Sequence, residues 1–573
     1  MRFLSAIAAL LTAASPVSSQ SDPPQQFNQW CGKYYEQGAP NVIPAGRLEE
    51  PPQSQVPLLD LRVSPRHSIY VGSESRAELI IDAAISSIHG EPFHPCQGPK
   101  CKGPGGNKTG KLTVVVETEG VQLVNAVVDI DTSDNLLPFD SSALEPRSKP
   151  YVLTLTATIK DPAQNKNKHT ATAELFYLPD KQDGSVVKID YLYGALLVRK
   201  KNTSGKFKPF FSYGFYNNYS GYLNDSVENI EAYIDSGYTA AHPVPGGDLD
   251  PMTWLFGNMD RLGLMSQFDM RHTWKNQSAL EWQVEHVRDE PALLTWYTGD
   301  EADGWQEPFE AVANAYDQIV ALDRYHPVAS ALNCQNYFFQ EYTTGVDIVM
   351  TDPYPVSINA TWSVRWDTPV NDTFGNCGCD NCRGSLMDVA DRMDDMLTYR
   401  RWVGGVHARK PIWAVPQNFG AETYWSREPT GPETMVMDVL MFNHGAKGRM
   451  AWIHPVSDAM AAATATVAQA VTVSPVVDFF TGANAVKILS GNDGGVDVAY
   501  WQLGGRLLIG LANPHEQDLG QVKIELPSQF SVSQIAATPL GNITWALEGG
   551  KTKKRKLVAE VVKGLATAYV VLE

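Results

Sequence analysis

Two adjacent carboxylates, Asp300 and Glu301, end an apolar run in the stretch LLTWYTGDEADGW, residues 293–305. The run has the length and composition of a buried strand, and charged side chains are seldom buried unless they are paired or do chemistry. A carboxylic acid and a carboxylate held together can act as proton donor and base. The stretch is therefore a candidate acid–base site, whereas Asp303 and Glu307 are expected on the solvated start of the helix that follows.

Further polar and aromatic side chains stand at the ends of other short apolar runs. Asp269 in LMSQFDM and Asp352 in VDIVMTD are two more carboxylates that could act with Glu301. Aromatic rings stack on the apolar faces of pyranose sugars, while amides and imidazoles bond sugar hydroxyls. Because the histidines show no H-x-H or H-E-x-x-H spacing, we expect them to bind substrate rather than a metal. The candidate substrate-binding residues are Tyr213, Asn217, His242, His272, Trp274, Tyr354, Gln417 and Trp452, and Asn333 ends another such run.

The apolar runs alternate with helical patterns over residues 201–483, which predicts a (β/α)₈ barrel. The alternative is a doubly wound open sheet of the same elements. Eight units over about 275 residues, with no Gly-rich phosphate turn after the first strand, favour the barrel. Chemistry in such barrels lies at the carboxyl ends of the strands, so Glu301, at the end of the fourth strand, is expected in the mouth. The predicted strands are 210–216, 239–245, 264–270, 293–301, 327–334, 346–352, 410–417 and 448–455.

Short alternating strands flank the barrel pattern on both sides. Seven of them over residues 61–200 predict an N-terminal β-sandwich domain within residues 20–200. The alternation returns after about residue 485 and predicts a smaller C-terminal β-sandwich domain over 484–573. The expected fold class is therefore α/β, a barrel between two β-sandwich domains. The basic run KTKKRK, residues 551–556, is expected at a solvated hairpin tip rather than at a polyanion site.

The first residues have the pattern of a secretory signal peptide. Arg2 precedes an apolar run over residues 3–14, and small residues before Gln20 offer a cleavage site, so residues 1–19 are expected to be removed. About 12 apolar residues are too few to span ~30 Å of hydrocarbon, so no membrane partner is expected. The net charge of -18 argues against nucleic acid. Eight N-x-S/T sequons indicate a secreted glycoprotein: Asn107, Asn202, Asn218, Asn224, Asn276, Asn359, Asn371 and Asn542.

Seven cysteines fit an oxidising compartment, where disulfides form. The stretch PCQGPKCKG, residues 95–103, suits a local disulfide. The stretch GNCGCDNCRG, residues 375–384, has C-x-C and C-x-x-C spacings that occur in metal sites, but three thiolates are one fewer than a structural zinc site uses. We expect no metal and no cofactor. The odd total leaves one thiol free or one bond between chains, and the pairing stays open among Cys31, Cys96, Cys101, Cys334, Cys377, Cys379 and Cys382.

Three stretches carry a resemblance to a known group of enzymes. WYTGDEADGW is similar to the W-Y-x-x-D-E-P-D-G signature of uncharacterised barrel glycosidases, and TDPYP and KPIWAVPQNFG resemble other segments of that group. Over roughly residues 205–480 the chain thus resembles the secreted (β/α)₈-barrel glycoside hydrolases of the large barrel superfamily. The resemblance implies that Glu301 is the general acid/base, its pKa raised by burial and by Asp300.

The seventh predicted strand departs from that group. Its retaining members carry a nucleophilic glutamate there, whereas this chain has Gln417, whose amide cannot serve as the nucleophile. Three possibilities follow: Asp352 activates a water as base, Asp269 does so, or the substrate supplies its own nucleophile. The adjacent Asp300 and Glu301 suggest the third possibility, a nucleophile from the substrate. They are similar to the pair of hexosaminidases, in which the aspartate orients a 2-acetamido group and the glutamate is the acid.

The expected function is hydrolysis of glycosidic bonds in a secreted oligo- or polysaccharide-acting enzyme. The expected partner is a carbohydrate, and the expected state is a monomer. The alternative is a catalytically inactive barrel that binds carbohydrate, which the amide of Gln417 motivates.

Overall fold

The computed structural model describes most of the chain. The described residues are 28–41, 46–93, 102–103, 106–107, 110–159, 168–200, 205–247, 249–487, 495–527, 529–550 and 553–573. The predicted signal peptide, residues 1–19, and the predicted local disulfide between Cys96 and Cys101 lie outside these ranges.

Eight parallel strands close into a barrel, which confirms the predicted fold class. Each strand pairs with the next along the chain, and the last pairs with the first. Seven of the observed strands lie within predicted ones. The first observed strand extends two residues beyond its predicted end. The strands are β1 (Tyr213–Asn218), β2 (Ala240–Val244), β3 (Met265–Asp269), β4 (Leu293–Asp300), β5 (Val328–Leu332), β6 (Ile348–Thr351), β7 (Ile412–Ala414) and β8 (Arg449–His454).

Helices surround the barrel and bury the outward faces of its strands in one large apolar core. Local sequence fixes several helix starts: the side chains of Ser226 and Asn276 cap the first and third helices, and Thr430 and Glu433 form a capping box on the seventh. The helices are α1 (Val227–Asp235), α2 (Thr253–Leu262), α3 (Gln277–Val287), α4 (Phe309–Leu322), α5 (Phe339–Thr344), α6 (Met387–Val403), α7 (Gly431–Asn443), α8 (Asp458–Val471) and α9 (Val476–Gly482).

Among the described residues, no helix by itself has the length and apolar character needed to cross a membrane, and only the sharply bent pair α8 and α9 meets those criteria when taken together.

A three-stranded sheet covers the amino-terminal end of the barrel. Its strands are Ser185–Asp190, Ala195–Lys200 and Lys208–Phe210. Val187 and Leu196 belong to the same buried cluster as residues at the starts of the barrel strands, such as Ala240 and Met265. The backbone N–H of Val187 also donates to the carbonyl of Tyr325, 2.9 Å away. Because apolar side chains fill this end, the polar chemistry of the barrel lies at the carboxyl ends of the strands.

Sheet-rich domains flank the barrel, as predicted. On the N-terminal side two four-stranded sheets enclose an apolar core. On the C-terminal side a five-stranded and a three-stranded sheet enclose another. The exact domain boundaries remain predictions, and the one between residues 200 and 201 falls between the second and third strands of the sheet that covers the barrel.

The strands of these flanking domains follow the alternation that the sequence predicts. In Lys111–Thr118, for example, every second residue is buried. The N-terminal sheets contain Leu58–Pro65, Arg76–Ser86, Glu91–Pro92 and Thr132–Asp140, and Lys111–Thr118, Val121–Asp129, Tyr151–Ile159 and Lys168–Leu175. The C-terminal sheets contain Val486–Lys487, Asp497–Leu503, Arg506–Ala512, Ile535–Leu540 and Thr567–Leu572, and Val522–Glu525, Ala546–Gly550 and Lys553–Ala559.

Candidate functional site

Glu301 follows β4 directly and stands at the carboxyl end of the barrel. Its backbone has φ of 53°, in the left-handed region that non-glycine residues seldom adopt. The pairing of β4 with β5 shifts register just before it, and the N–H of Glu301 donates to the carbonyl of Ala331 at 3.2 Å. Strained backbone of this kind persists where surrounding contacts enforce it, and here it sets the direction of the Glu301 carboxyl.

The carboxyl of Glu301 lies against that of Asp352, which follows β6. Each of the two groups shifts the pKa of the other. Between them, at the end of β5, the amide Nδ2 of Asn333 donates to Oε1 of Glu301 at 3.0 Å and to Oδ1 of Asp352 at 3.2 Å. Two carboxyl oxygens can hydrogen-bond each other only when one carries a proton, and the raised pKa values of both groups favour such a proton.

The surroundings of this pair raise both pKa values. Burial is the largest cause for each group, and for Asp352 the charge of Glu301 adds to it. The interaction between the two groups lowers the pKa of Glu301 and raises that of Asp352. The nearby Asp300 and Asp303 raise both pKa values, whereas Arg271 lowers that of Glu301. Asp352 is buried and Glu301 is partly exposed. Both groups are thus held toward their protonated forms, and they titrate as a unit.

A second cluster of charges stands beside this pair and centres on Arg271. Its Nε donates to Asp269 at 2.6 Å, and its Nη1 donates to Asp300 at 2.6 Å. Asp269 is also bonded to Nε2 of His242 at 2.8 Å. Burial tends to raise the pKa of Asp269, but Arg271 and His242 outweigh it and hold that pKa below its usual value. Asp300 also accepts a hydrogen bond from the hydroxyl of Tyr297.

Aromatic rings surround these charges at the carboxyl end of the barrel. Tyr216 stacks on His242 with ring centroids 3.9 Å apart, and its hydroxyl donates to that of Tyr297 at 3.0 Å. Trp452 is partly exposed and lies 5.3 Å from Tyr216 and 5.2 Å from the guanidinium of Arg271. Tyr354 is buried near Glu301 and Asp352, whose charges, after burial itself, raise its pKa. Of these rings, Trp452 has the exposure that a platform for a sugar ring needs.

Asp303 differs from the prediction that it lies on a solvated helix start. It is buried, and its carboxylate accepts hydrogen bonds from the backbone N–H groups of Gly304, Asn333 and Cys334 at 2.9–3.1 Å. Burial raises its pKa to about 7, against the effect of those bonds. The prediction failed because the chain after Glu301 turns back under the mouth before α4 begins. Asp303 thus joins the loop after β4 to the end of β5.

Several predicted site residues lie near the acidic pair, and others do not. Asp300, Asp269 and His242 border it through Arg271, Tyr354 lies near both of its carboxyl groups, and Trp452 lies against Arg271. Tyr213 is directed to the helix layer, where its hydroxyl donates to Asp438. Asn217 accepts a hydrogen bond from the N–H of His242 at 3.3 Å.

The other three predicted substrate-binding residues have different environments. Trp274 is buried in the helix layer, and His272 is exposed. Gln417 is fully buried, and its side chain bonds the backbone of Val356 and Phe419 at 2.8–3.2 Å. The amide of Gln417 thus holds two loops together, and Glu422 beyond it is exposed.

Sequence reasoning missed Arg271, Tyr216, Tyr297 and Trp30. Arg271 follows Asp269 by two residues at a predicted strand end, and that position could have marked it. Tyr216 and Tyr297 belong to predicted strands, but which face they occupy depends on a register that the apolar runs do not fix. Trp30 lies far from the barrel in sequence, and its indole Nε1 donates to Oδ1 of Asn333 at 2.8 Å.

Two disulfides are present among the described residues. One joins Cys31 to Cys334, across 303 residues of sequence, and the other joins Cys379 to Cys382. Cys377 is a buried free thiol. Cys31 and Cys334 also lie close to Asp380, but their sulfurs are bonded to each other and so are not available as metal ligands.

No protein-family model matches the chain, and no curated protein sequence matches it. Similar solved structures are glycoside hydrolases. A β-glucuronidase from Ruminococcus gnavus, in complex with an N1-substituted uronic isofagomine, is 11% identical with a TM-score of 0.33, over 69% of this chain and 61% of that chain. A β-glucuronidase from Bifidobacterium dentium, complexed with coumarin-3-O-glucuronide, is 11% identical with a TM-score of 0.31, over 70% and 61%.

The chain thus spans about three-fifths of the length of these two structures. At such low identities and TM-scores the likeness concerns the fold and does not extend to a substrate or to individual residues.

Proposed function

We propose that the protein is a secreted glycoside hydrolase that uses Glu301 and Asp352 as its catalytic pair. The observation that carries the proposal is the pair of carboxyl groups with raised pKa values that the amide of Asn333 bridges at the carboxyl end of the barrel. Hydrolysis of a glycosidic bond needs one protonated and one ionised carboxyl beside the substrate, and a pair that shares a proton supplies both.

Within the pair, we assign the proton donor to Glu301 and the base or nucleophile to Asp352, so the proton that their interaction favours on Asp352 passes to Glu301 when substrate binds. Glu301 is partly exposed and can reach a leaving-group oxygen from the mouth. Asp269 is less suited to the second role because Arg271 and His242 already bond its carboxylate and favour its charged form. A substrate 2-acetamido group remains the third possibility, with Asp300 as its partner.

Substrate must enter beside the pair before reaction. The carboxyl groups of retaining enzymes lie about 5 Å apart and those of inverting enzymes roughly 6.5–9.5 Å apart. Here both groups accept from the one amide nitrogen of Asn333, at 3.0 and 3.2 Å. We propose that the glycosidic oxygen displaces this contact by turning the side chain of Glu301. Asn333 then keeps its bond to Asp352. The separation in the substrate complex decides between retention and inversion.

The charges of the mouth suit the transition state of this reaction. Glu301, Asp352, Asp300 and Asp269 bring more negative charge than Arg271 balances, and glycoside cleavage passes through a positively charged, oxocarbenium-like state. Nη2 of Arg271 is buried and has no hydrogen-bond partner among the described residues, so it can donate to a substrate oxygen. Such a cavity favours neutral over acidic sugars.

A second candidate function is carbohydrate binding without catalysis. It is favoured by one observation: after the seventh strand the chain offers the buried amide of Gln417 in place of a carboxylate. A non-catalytic barrel would keep the same cavity and the same ring of Trp452, and it would bind sugars without cleaving them.

The test is hydrolysis of a panel of aryl glycosides and oligosaccharides by the wild type and three variants. We expect Glu301→Gln and Asp352→Asn each to lower kcat by roughly a hundredfold or more, the usual effect of losing a general acid or base. Glu307→Gln is the matched control, because Glu307 pairs with Lys275 away from the acidic pair. Turnover that survives in both variants would refute the assignment. Sugar binding with no turnover in the wild type would favour the second function.

Asp352→Ala offers a further check on the role of the second carboxylate. If azide restores activity and forms a glycosyl azide, the missing group is the carboxylate that acts at the anomeric carbon, and the anomer of the product reports retention or inversion.

Secretion is part of the same proposal. The signal-peptide pattern of residues 1–19, the eight sequons and the disulfide between Cys31 and Cys334 support it. Mass spectrometry of protein from the culture medium is expected to find glycans on sequons and a mature N-terminus at Gln20, and a product retained inside the cell with Met1 intact would contradict secretion.

A further inference from the structure

Residues 28–36, which we call the N-terminal arm, lie against the carboxyl end of the barrel although they precede the whole N-terminal sheet-rich domain. The arm is a small hairpin in which Gln29–Trp30 pairs with Lys33–Tyr34. Its two turn residues, Cys31 and Gly32, have φ of 52° and 75°, the positive values that tight two-residue hairpins require.

Three separate loops hold the arm in place. Lys33 is buried, and its Nζ reaches Asp380 at 2.7 Å in the long loop after β6. The disulfide from Cys31 ties the hairpin turn to Cys334 at the end of β5. Trp30 packs on the loop after β4, with its ring 5.0 Å from that of Trp305. These are the loops that follow the strands bearing Glu301, Asn333 and Asp352.

The indole of Trp30 determines which way the amide of Asn333 faces. An indole nitrogen can only donate a hydrogen bond, and Nε1 of Trp30 lies 2.8 Å from Oδ1 of Asn333. With Oδ1 accepting from Trp30, the other end of the amide, Nδ2, is turned to Glu301 and Asp352 and donates to both. Without that indole N–H, only the bonds from Nδ2 to the two carboxyl groups hold the amide, and a flip would let Oδ1 accept from the protonated carboxyl instead.

We propose that Trp30 is a positioning residue of the active site: through the amide of Asn333 it fixes the hydrogen-bond donor that Glu301 and Asp352 share, and the disulfide keeps it there. The role deepens the proposed hydrolase function and rests on it for its catalytic meaning. The N-terminal arm then contributes a positioning residue to the site at the carboxyl end of the barrel.

The consequence for the pair has a definite sign. A donor such as Nδ2 stabilises the ionised carboxylate, so losing it makes the pair hold its proton more tightly and titrate at higher pH.

Trp30 itself brings no charge. The titratable and charged groups that face the pair from neighbouring elements are Asp300, Asp303, Arg271 and Tyr354, and Arg392 donates to the carbonyl of Asn333 at 2.8 Å.

The test follows the titration of Glu301 directly and needs no turnover. Protein labelled with ¹³C at glutamate side-chain carboxyls is titrated by NMR, and the Glu301 signal is assigned by its loss in Glu301→Gln. In Trp30→Phe the ring still packs on Trp305 but the donor is gone, so we expect the Glu301 midpoint to rise by about one pH unit.

Trp366→Phe is the matched control. It also removes one indole hydrogen bond, to Tyr424 at 2.7 Å, from a ring that packs against Tyr35 of the same arm, but it does not contact Asn333. We expect this variant to leave the midpoint of Glu301 unchanged. If Trp30→Phe fails to fold, Trp30 is replaced by 3-benzothienylalanine, which has nearly the shape of tryptophan and lacks the N–H.

An equal shift in both variants, or no shift in folded protein lacking the Trp30 N–H, would overturn the proposal. The outcome is separable from that of the hydrolase proposal, because a rise confined to the Trp30 variants establishes the positioning role even in a protein that cleaves no glycoside. Where a hydrolysed glycoside is found, its pH–kcat profile should move upward in the same variants.

Discussion

Replacing Glu301 by glutamine should stabilise the folded protein, and the gain should depend on pH. The pKa of Glu301 rises from its ordinary 4.5 to about 8, mainly through burial. Because the folded pKa lies above the unfolded one, the contribution of this group to stability is complete below about pH 4.5 and is lost as the pH rises through about 8. At about 1.4 kcal/mol per pH unit, the loss above pH 8 is on the order of 5 kcal/mol at most.

Partial exposure of the carboxyl to solvent reduces this value, so we expect Glu301→Gln to be more stable than the wild type by roughly 2–4 kcal/mol at about pH 9. A glutamine also gives Asp352 a neutral neighbour that can donate a hydrogen bond to it. Such a gain would show that burying the carboxyl of Glu301 lowers the free energy of unfolding of the wild type.

The assay is urea unfolding of wild type, Glu301→Gln and the surface control Glu307→Gln at about pH 4.5 and pH 9. We expect the free energies of unfolding of wild type and Glu301→Gln to converge at the lower pH and to separate at the higher one. A gain in the free energy of unfolding that is equal at both pH values, or no gain at pH 9, would refute the idea that the raised pKa of Glu301 destabilises the wild type at high pH.

Two further predictions concern buried charges. His444 bridges two aspartates between α6 and the C-terminal sheets, and their hydrogen bonds and charges outweigh burial and raise its pKa to about 9. His444→Gln should therefore lower the free energy of unfolding by on the order of 3 kcal/mol near pH 6. In urea unfolding this difference should vanish as the pH rises through about 9. A difference independent of pH would contradict the prediction. Arg271→Met leaves the two aspartates that it bridges without their cation and should cost about 3–5 kcal/mol by thermal unfolding, whereas the exposed Arg261→Met should cost little. Equal losses in these two arginine variants would argue against a buried ion-pair network.

The sequence was sufficient to locate the barrel because each strand is a short apolar run between turn residues. Runs such as LLTWYTGD are buried along nearly their whole length, so they stand out from the amphipathic helices between them. The polar residues that end them, Glu301 and Asp352 among them, then fall at one end of the barrel by topology alone.

The finer geometry of the site depends on information that the runs do not carry. Tyr213 was expected to face the mouth, but alternation along β1 directs Tyr216 inward and Tyr213 to the helices, and a one-residue error in register exchanges them. The contact between Trp30 and Asn333 joins residues 303 positions apart, and no local pattern predicts it.

The central claim is that a proton lies between Glu301 and Asp352 at neutral pH. Neutron diffraction from a deuterium-exchanged crystal at about pD 7 would observe that proton directly. We predict a single deuteron between the two carboxyl groups, with Asn333 Nδ2 donating to both. Two separated carboxylates with no deuteron between them would contradict the account.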